Sequence, residues 1–134
     1  GGESIIDYGC GSGILSIAAL KLGCSSSTAV DIDTEALNVT KQNSFINKLS
    51  IPTYLPKNLP KMKCDIIIAN ILANPLIELF PKFQSLLKPG GYLVISGILE
   101  SQIKNVKTHY NNYFSIMNCK IKEEWALISG SKLN

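Results

Sequence analysis

The chain contains no arginine: all 13 of its basic residues are lysines. That excludes the planar, bidentate guanidinium clamps used for phosphate and carboxylate. A net charge of +3 carried by scattered lysines reads as a solvated surface, so no direct nucleic-acid partner is expected. There is one histidine, His109, which leaves almost no material for histidine metal centres or for Ser-His and Cys-His catalysis. The four cysteines, Cys10, Cys24, Cys64 and Cys119, include no C-x-x-C pair. Buried, reduced thiols in a cytoplasmic protein are expected, with no metal site and no disulfide framework. No apolar run approaches the ~20 residues that a bilayer span requires, and nothing reads as a signal peptide. No membrane partner is expected, and the chain is taken as a monomer.

At 134 residues and 46% apolar composition, the chain reads as one globular domain, large enough to bury a core. It opens at Gly1-Gly2 without a methionine and enters a strand almost at once, which reads as a piece of a longer protein. Short apolar runs alternate with amphipathic stretches, the pattern of a parallel sheet flanked by helices. Strand one is Ser4 to Tyr8. A helix follows from about Ser12 to Leu22 and stops at Gly23. Strand two is Ala29 to Ile32, and the next helix starts at Asp33 or Thr34, either of which can cap it. A weak strand lies around Pro52 to Leu55, and a strong one at Asp65 to Ala69. Asn74 and Pro75 then read as N-cap and N1 of a helix, in which Pro81 predicts a kink or a break. Lys88-Pro89-Gly90-Gly91 is a stop, Tyr92 to Ser96 a strand, and Ser101 to Tyr110 a further helix. Phe114 to Lys122 and Trp125 to Ser129, joined by Glu123-Glu124, predict an antiparallel hairpin at the sheet edge.

The most informative segment is Asp7-Tyr8-Gly9-Cys10-Gly11-Ser12-Gly13. A strand runs into a turn with glycines at alternate positions and then directly into a helix. Bare backbone allows a sharp turn and close approach of a ligand, while a helix N-terminus suits an anionic group such as a carboxylate. A dinucleotide fingerprint counted from Gly9 needs its third glycine at position 14, where Ile14 stands; the third glycine comes one residue early, at Gly13. NAD and FAD are therefore disfavoured. Asp31, 22 residues after Gly9, stands at the end of strand two beside Ile32, where a carboxylate accepts hydrogen bonds from ribose hydroxyls. Asn70 ends strand four. Its amide oxygen can accept a hydrogen bond from a substrate amine, or it can merely organise the turn before Asn74-Pro75.

The run Asp7 to Gly23 resembles the cofactor motif of the bacterial methyltransferase family that acts on the eleventh large-subunit ribosomal protein. Ala69-Asn70-Ile71-Leu72-Ala73-Asn74-Pro75-Leu76, Ser96-Gly97-Ile98-Leu99 and Glu123-Glu124-Trp125 resemble the same family, in the same order. The resemblance implies a Rossmann-like class I methyltransferase fold, α/β, with a seven-stranded, mostly parallel sheet, a C-terminal antiparallel hairpin and helices on both faces. It implies S-adenosylmethionine as methyl donor, and lysine and N-terminal amino groups of a large-subunit ribosomal protein as acceptors. The cofactor-binding set is then Asp7, Gly9, Cys10, Gly11, Gly13, Asp31, Ile32 and Asn70, with Asn70 also the catalytic candidate. Asn74 stands where the family is expected to have glycine, and the family's N-terminal recognition domain is expected to lie outside these 134 residues. Two alternatives stay open: a cofactor-binding piece without activity of its own, and a methyltransferase for another amino group. Enzymes for glutamine or nucleobase amino groups usually show N-P-P-Y or D-P-P-Y where this chain has Asn70-Ile71-Leu72-Ala73.

Overall fold

The structure is a computed structural model and describes residues 1–115 and 118–133. It divides into two compact units, Gly1–Met62 and Lys63–Asn134.

In the first unit, three parallel strands run β3-β2-β1: β1 (Ser4–Tyr8), β2 (Ser26–Val30) and β3 (Thr53–Tyr54). The register pairs Tyr8 with Val30, so the turn after β1 and the residues after β2 leave the sheet at one edge. Strand β2 starts earlier than its apolar residues suggest and stops at Val30, which puts Asp31 and Ile32 just beyond it. Ser27 and Thr28 are buried and polar. Their hydroxyls are tolerable in a covered strand only with hydrogen-bond partners, and Ser27 has one in Ser16.

Helix α1 (Ile14–Lys21) is shorter than the expected Ser12–Leu22. It ends in a Schellman motif: Cys24 N–H donates to Ala19 O and Gly23 N–H to Leu20 O, with Gly23 at φ 109°. Helix α2 (Thr34–Ile46) is capped by Asp33, whose side chain accepts from the Glu35 amide. It ends the same way, except that Lys48 occupies the left-handed position at φ 58°; Leu49 N–H donates to Ser44 O and Lys48 N–H to Phe45 O. Cys10, Ala29, Leu37 and Ile51 form the core between these elements, with Ile17, Leu20 and Leu55 packed against it.

In the second unit the strand order is β4-β5-β7-β6: β4 (Cys64–Asn70), β5 (Leu87–Leu99), β6 (Asn118–Lys122) and β7 (Trp125–Ser131). β4 and β5 are parallel; β7 is antiparallel to both β5 and β6. The expected hairpin is present, closed by the Lys122–Trp125 pair. Phe114 makes only an isolated bridge to Lys132, and residues 116 and 117 of the expected strand lie outside the described residues.

Helix α3 (Ala73–Leu86) departs from expectation twice. Its N-cap is Leu72 rather than Asn74, and Pro81 lies inside one continuous helix. A helix-interior proline costs about 3 kcal/mol. Leu76, Phe80 and Phe83 flank it and are all fully buried; at ~1.5–3 kcal/mol each, their burial outweighs the proline. The helix ends at Leu86, but strand pairing resumes at once with Cys64 opposite Leu87, then skips to Ile66 opposite Tyr92. Lys88–Gly91 is thus an irregularity within β5 rather than a gap before it. The expected helix from Ser101 is a 3-10 turn (Glu100–Gln102) followed by α4 (Ile103–Tyr110). Phe80, Tyr110 and Phe114 form an aromatic cluster, Tyr110 stacked on Phe114 at 5.1 Å and Phe80 edge-on to Tyr110 at 5.7 Å.

Candidate functional site

Seven of the eight predicted site residues gather in the first unit, at the sheet edge where β1 and β2 end. Gly9, Gly11 and Gly13 all have positive φ, at 83°, 53° and 81°, a conformation that side chains with a Cβ resist. The turn is hooked to β2 by two hydrogen bonds, from Gly9 N–H and Cys10 N–H to Val30 O. Asp31 fastens the far side. Its Oδ2 accepts from the Gly11 amide and its Oδ1 from the Asp33 amide, each at 3.0 Å. The half-buried carboxylate therefore locks two loops together and keeps further lone pairs for an outside donor. Ile32 follows it with an exposed side chain (83%), an apolar surface at the same edge.

The three glycines have different duties. A Cβ on Gly11 meets nothing within 4 Å, whereas one on Gly13 comes within 2.7 Å of Thr40 Cγ2 and 3.0 Å of Thr40 Oγ1. Gly11 leaves open space beside bare backbone; Gly13 lets the start of α1 pack against α2. Thr40 is fully buried and donates to Gly11 O at 3.0 Å, so it ties α2 to the turn. Sequence reading missed Thr40, since nothing local marks a threonine in mid-helix as a partner of a distant glycine.

Two predicted residues serve the turn from beneath. Cys10 sends its side chain into the core, with Sγ 3.4 Å from Thr40 Oγ1, and burial raises its thiol to about 11. Only its backbone belongs to the turn's surface. The Asp7 carboxylate is fully buried and accepts from Ser16 Oγ at 2.8 Å. Burial holds its pKa above the usual carboxylate range against the opposing Ser16 hydrogen bonds, and nearby Asp31 adds to the rise. Ser16 and Ser27 were not anticipated. The only signal was a lone serine in the apolar run Ile14 to Leu20 and a second serine ahead of Thr28-Ala29-Val30.

Asn70 belongs to the second unit. It is the last residue of β4, exposed, and pairs with Ser96 of β5. Its carboxamide oxygen lies where a Cβ on Gly97 would be 2.5 Å away, and Gly97 has φ 83°. Gly97 falls in the interval where the β5–β7 register shifts, between Ile95 and Ile98, so a glycine irregularity gives Asn70 its room. Such irregularities often re-aim side chains. Leu72, two residues on, is exposed (75%). Among the described residues no cluster of His, Cys, Asp and Glu could hold a metal ion.

The profile of the family described as "Ribosomal protein L11 methyltransferase (PrmA)" matches residues 1–133. A relative from Hahella chejuensis named "Ribosomal protein L11 methyltransferase" is 46% identical over 134 residues, covering 98% of this chain and 46% of the relative. One of the same name from Vibrio cholerae is 47% identical over 135 residues, with 98% and 46% covered. The chain thus spans about half the length of these relatives. The crystal structure of a ribosomal protein L11 methylase from Lactobacillus delbrueckii subsp. bulgaricus superposes with a TM-score of 0.93 at 32% identity, covering all of this chain and 72% of that one. The fold is that of the class I methyltransferases, seven strands with a C-terminal antiparallel hairpin.

Proposed function

This chain belongs to the ribosomal protein L11 methyltransferase family, and on that premise we propose that its first unit holds S-adenosylmethionine for methylation of lysine and N-terminal amino groups of ribosomal protein L11. Family and fold imply that cofactor. The observation that carries the assignment to residues is Gly11: its backbone faces open space at φ 53° and is fastened to Asp31. The turn presents uncovered backbone to an amino-acid portion, Asp31 keeps lone pairs for vicinal hydroxyls, and Ile32 offers an apolar face for a base. The donor set fits the cofactor.

The sulfonium of such a cofactor supplies an already activated methyl group, so what remains for the protein is alignment and exclusion of water. An amine must be neutral to attack, and a free lysine side chain titrates near 10.4, so an apolar surround is needed to lower it. In this reading Asn70 Oδ1 accepts a hydrogen bond from the acceptor amine and orients its lone pair, while Ile71 and Leu72 supply apolar surface.

Calorimetric titration tests the cofactor assignment. S-adenosylmethionine is expected to bind and NADH to give no heat. Gly11→Ala should lose about tenfold or more in cofactor affinity while costing only ~1–2 kcal/mol of stability, the left-handed penalty alone. Unchanged affinity in Gly11→Ala would remove the turn from the site. For transfer, the intact protein carrying Asn70→Ala should methylate L11 about 100-fold or more slowly, the scale of a lost orienting contact; wild-type rate would end that role.

A further inference from the structure

The buried polar groups of the first unit form one hydrogen-bonded chain. Ser27 on β2 donates from Oγ to Ser16 Oγ at 2.9 Å, and Ser16 on α1 donates from Oγ to Asp7 Oδ2 at 2.8 Å. All three side chains are essentially inaccessible, at 2%, 0% and 0% exposure. The Ser16 amide acts on the same carboxylate. Every hydroxyl proton of the chain thus points toward Asp7, an arrangement that favours its anion.

The other oxygen, Oδ1, is buried without a hydrogen-bond partner among the described residues. A buried carboxylate oxygen left bare is costly, and a donor on a ligand or an ordered water can satisfy it. The charged groups around it make that donor's chemistry plain. Asp31 acts on Asp7 from the β2 end with like charge, and the Cys10 thiol, raised first by burial, is raised further by Asp7. From α1 come the neutral hydroxyl and amide of Ser16, and β2 adds the Ser27 hydroxyl behind them. Among the described residues, no cation acts on Asp7.

We propose that Ser16 and Ser27 are positioning residues for the ligand at the glycine turn: their relay pins one oxygen of Asp7 and dedicates the other to a cationic N–H donor on the bound molecule, reached directly or through one water. The inference rests on the S-adenosylmethionine reading, in which the amino-acid portion carries such an ammonium group. It adds two serines that neither the glycine turn nor the strand-end acid identifies.

The test uses two probes, S-adenosylhomocysteine and its deaminated analogue, titrated calorimetrically between about pH 5 and pH 8. Wild type should prefer the amino form by about tenfold or more, with affinity falling on the acid side as Asp7 protonates. Ser16→Ala should cut that preference to about threefold or less and move the acid limb up by about one pH unit, since the anion has lost its hydroxyl donor. Ser27→Ala should do the same to a smaller extent, and Ser16→Thr should restore both. Without ligand, the Asp7 carboxyl carbon followed by NMR should titrate at higher pH in Ser16→Ala than in wild type. If Ser16→Ala does not fold, Ser27→Ala carries the same three readouts. Equal weakening of both probes, with the acid limb and the carbon midpoint unmoved, would mean that the serines only pack, and the proposal fails. Wild type binding both probes equally would also overturn it while leaving the cofactor reading intact. Binding of neither probe would defeat the cofactor reading and the proposal with it.

Discussion

Gly13→Ala is the substitution whose cost is best defined by the geometry. Two penalties add. The residue sits at φ 81°, which costs a residue with a Cβ ~1–2 kcal/mol. The new methyl would lie 2.7 Å from Thr40 Cγ2 and 3.0 Å from Thr40 Oγ1, and forcing an extra carbon into a packed site costs ~1–3 kcal/mol. Thr40 cannot easily yield, because it is fully buried and its hydroxyl bridges Gly11 O and Cys10 Sγ. The expected loss is ~2–5 kcal/mol, a large share of the ~5–15 kcal/mol that holds an ordinary domain together. Urea denaturation followed by circular dichroism measures it. The second arm is Thr40→Ser, which removes the Cγ2 methyl nearest the clash and keeps the hydroxyl. In a double-mutant cycle it should return ~1 kcal/mol of the Gly13→Ala loss, because the two sites are in direct contact. A loss below ~1 kcal/mol in Gly13→Ala would refute the strain and packing argument together. Strict additivity with Thr40→Ser would refute the packing half alone.

The remaining expectations concern stability and thiol chemistry. Lys48→Gly should stabilise the protein by ~0.5–1 kcal/mol in the same urea assay, since glycine relieves the left-handed C′ position of α2 and gives back part of that gain as unfolded-state entropy; destabilisation would contradict the Schellman geometry. The Cys10 thiol is raised from 9.0 to about 11, so the folded state keeps its proton where the unfolded state has lost it. The associated stability is complete below about pH 9 and declines toward pH 11, by ~2–3 kcal/mol at most. Wild type should therefore lose more stability than Cys10→Ala between pH 8 and pH 10.5, and equal losses would contradict the raised thiol. Alkylation at neutral pH should label Cys24 and Cys119, both partly exposed, ahead of buried Cys10 and Cys64; rapid labelling of Cys10 would place its side chain outside the core.

What the sequence determined by itself is local in origin. Alternating glycines between a strand and a helix, Gly23 after Leu22, Asp33 before Thr34 and the Glu123-Glu124 turn each act through the conformational preferences of a few neighbouring residues. Those preferences placed the glycine turn, the element order and the final hairpin, with boundaries displaced by one to a few residues. Tertiary structure decided whatever depends on residues far apart along the chain. β2 includes Ser26, Ser27 and Thr28 although their polarity reads as loop, because Ser27 finds Ser16 across the fold. Pro81 stays inside α3 because Leu76, Phe80 and Phe83 are all buried. The same holds within the site. Gly11 and Gly13 are indistinguishable as letters, yet one borders open space and the other Thr40. Cys10 and Asp7 lie in the cofactor motif, yet their side chains turn inward, one to the core and one to a serine relay. A sequence motif fixes where the backbone must bend; which side of that bend is filled depends on the side chains that only the fold brings against it.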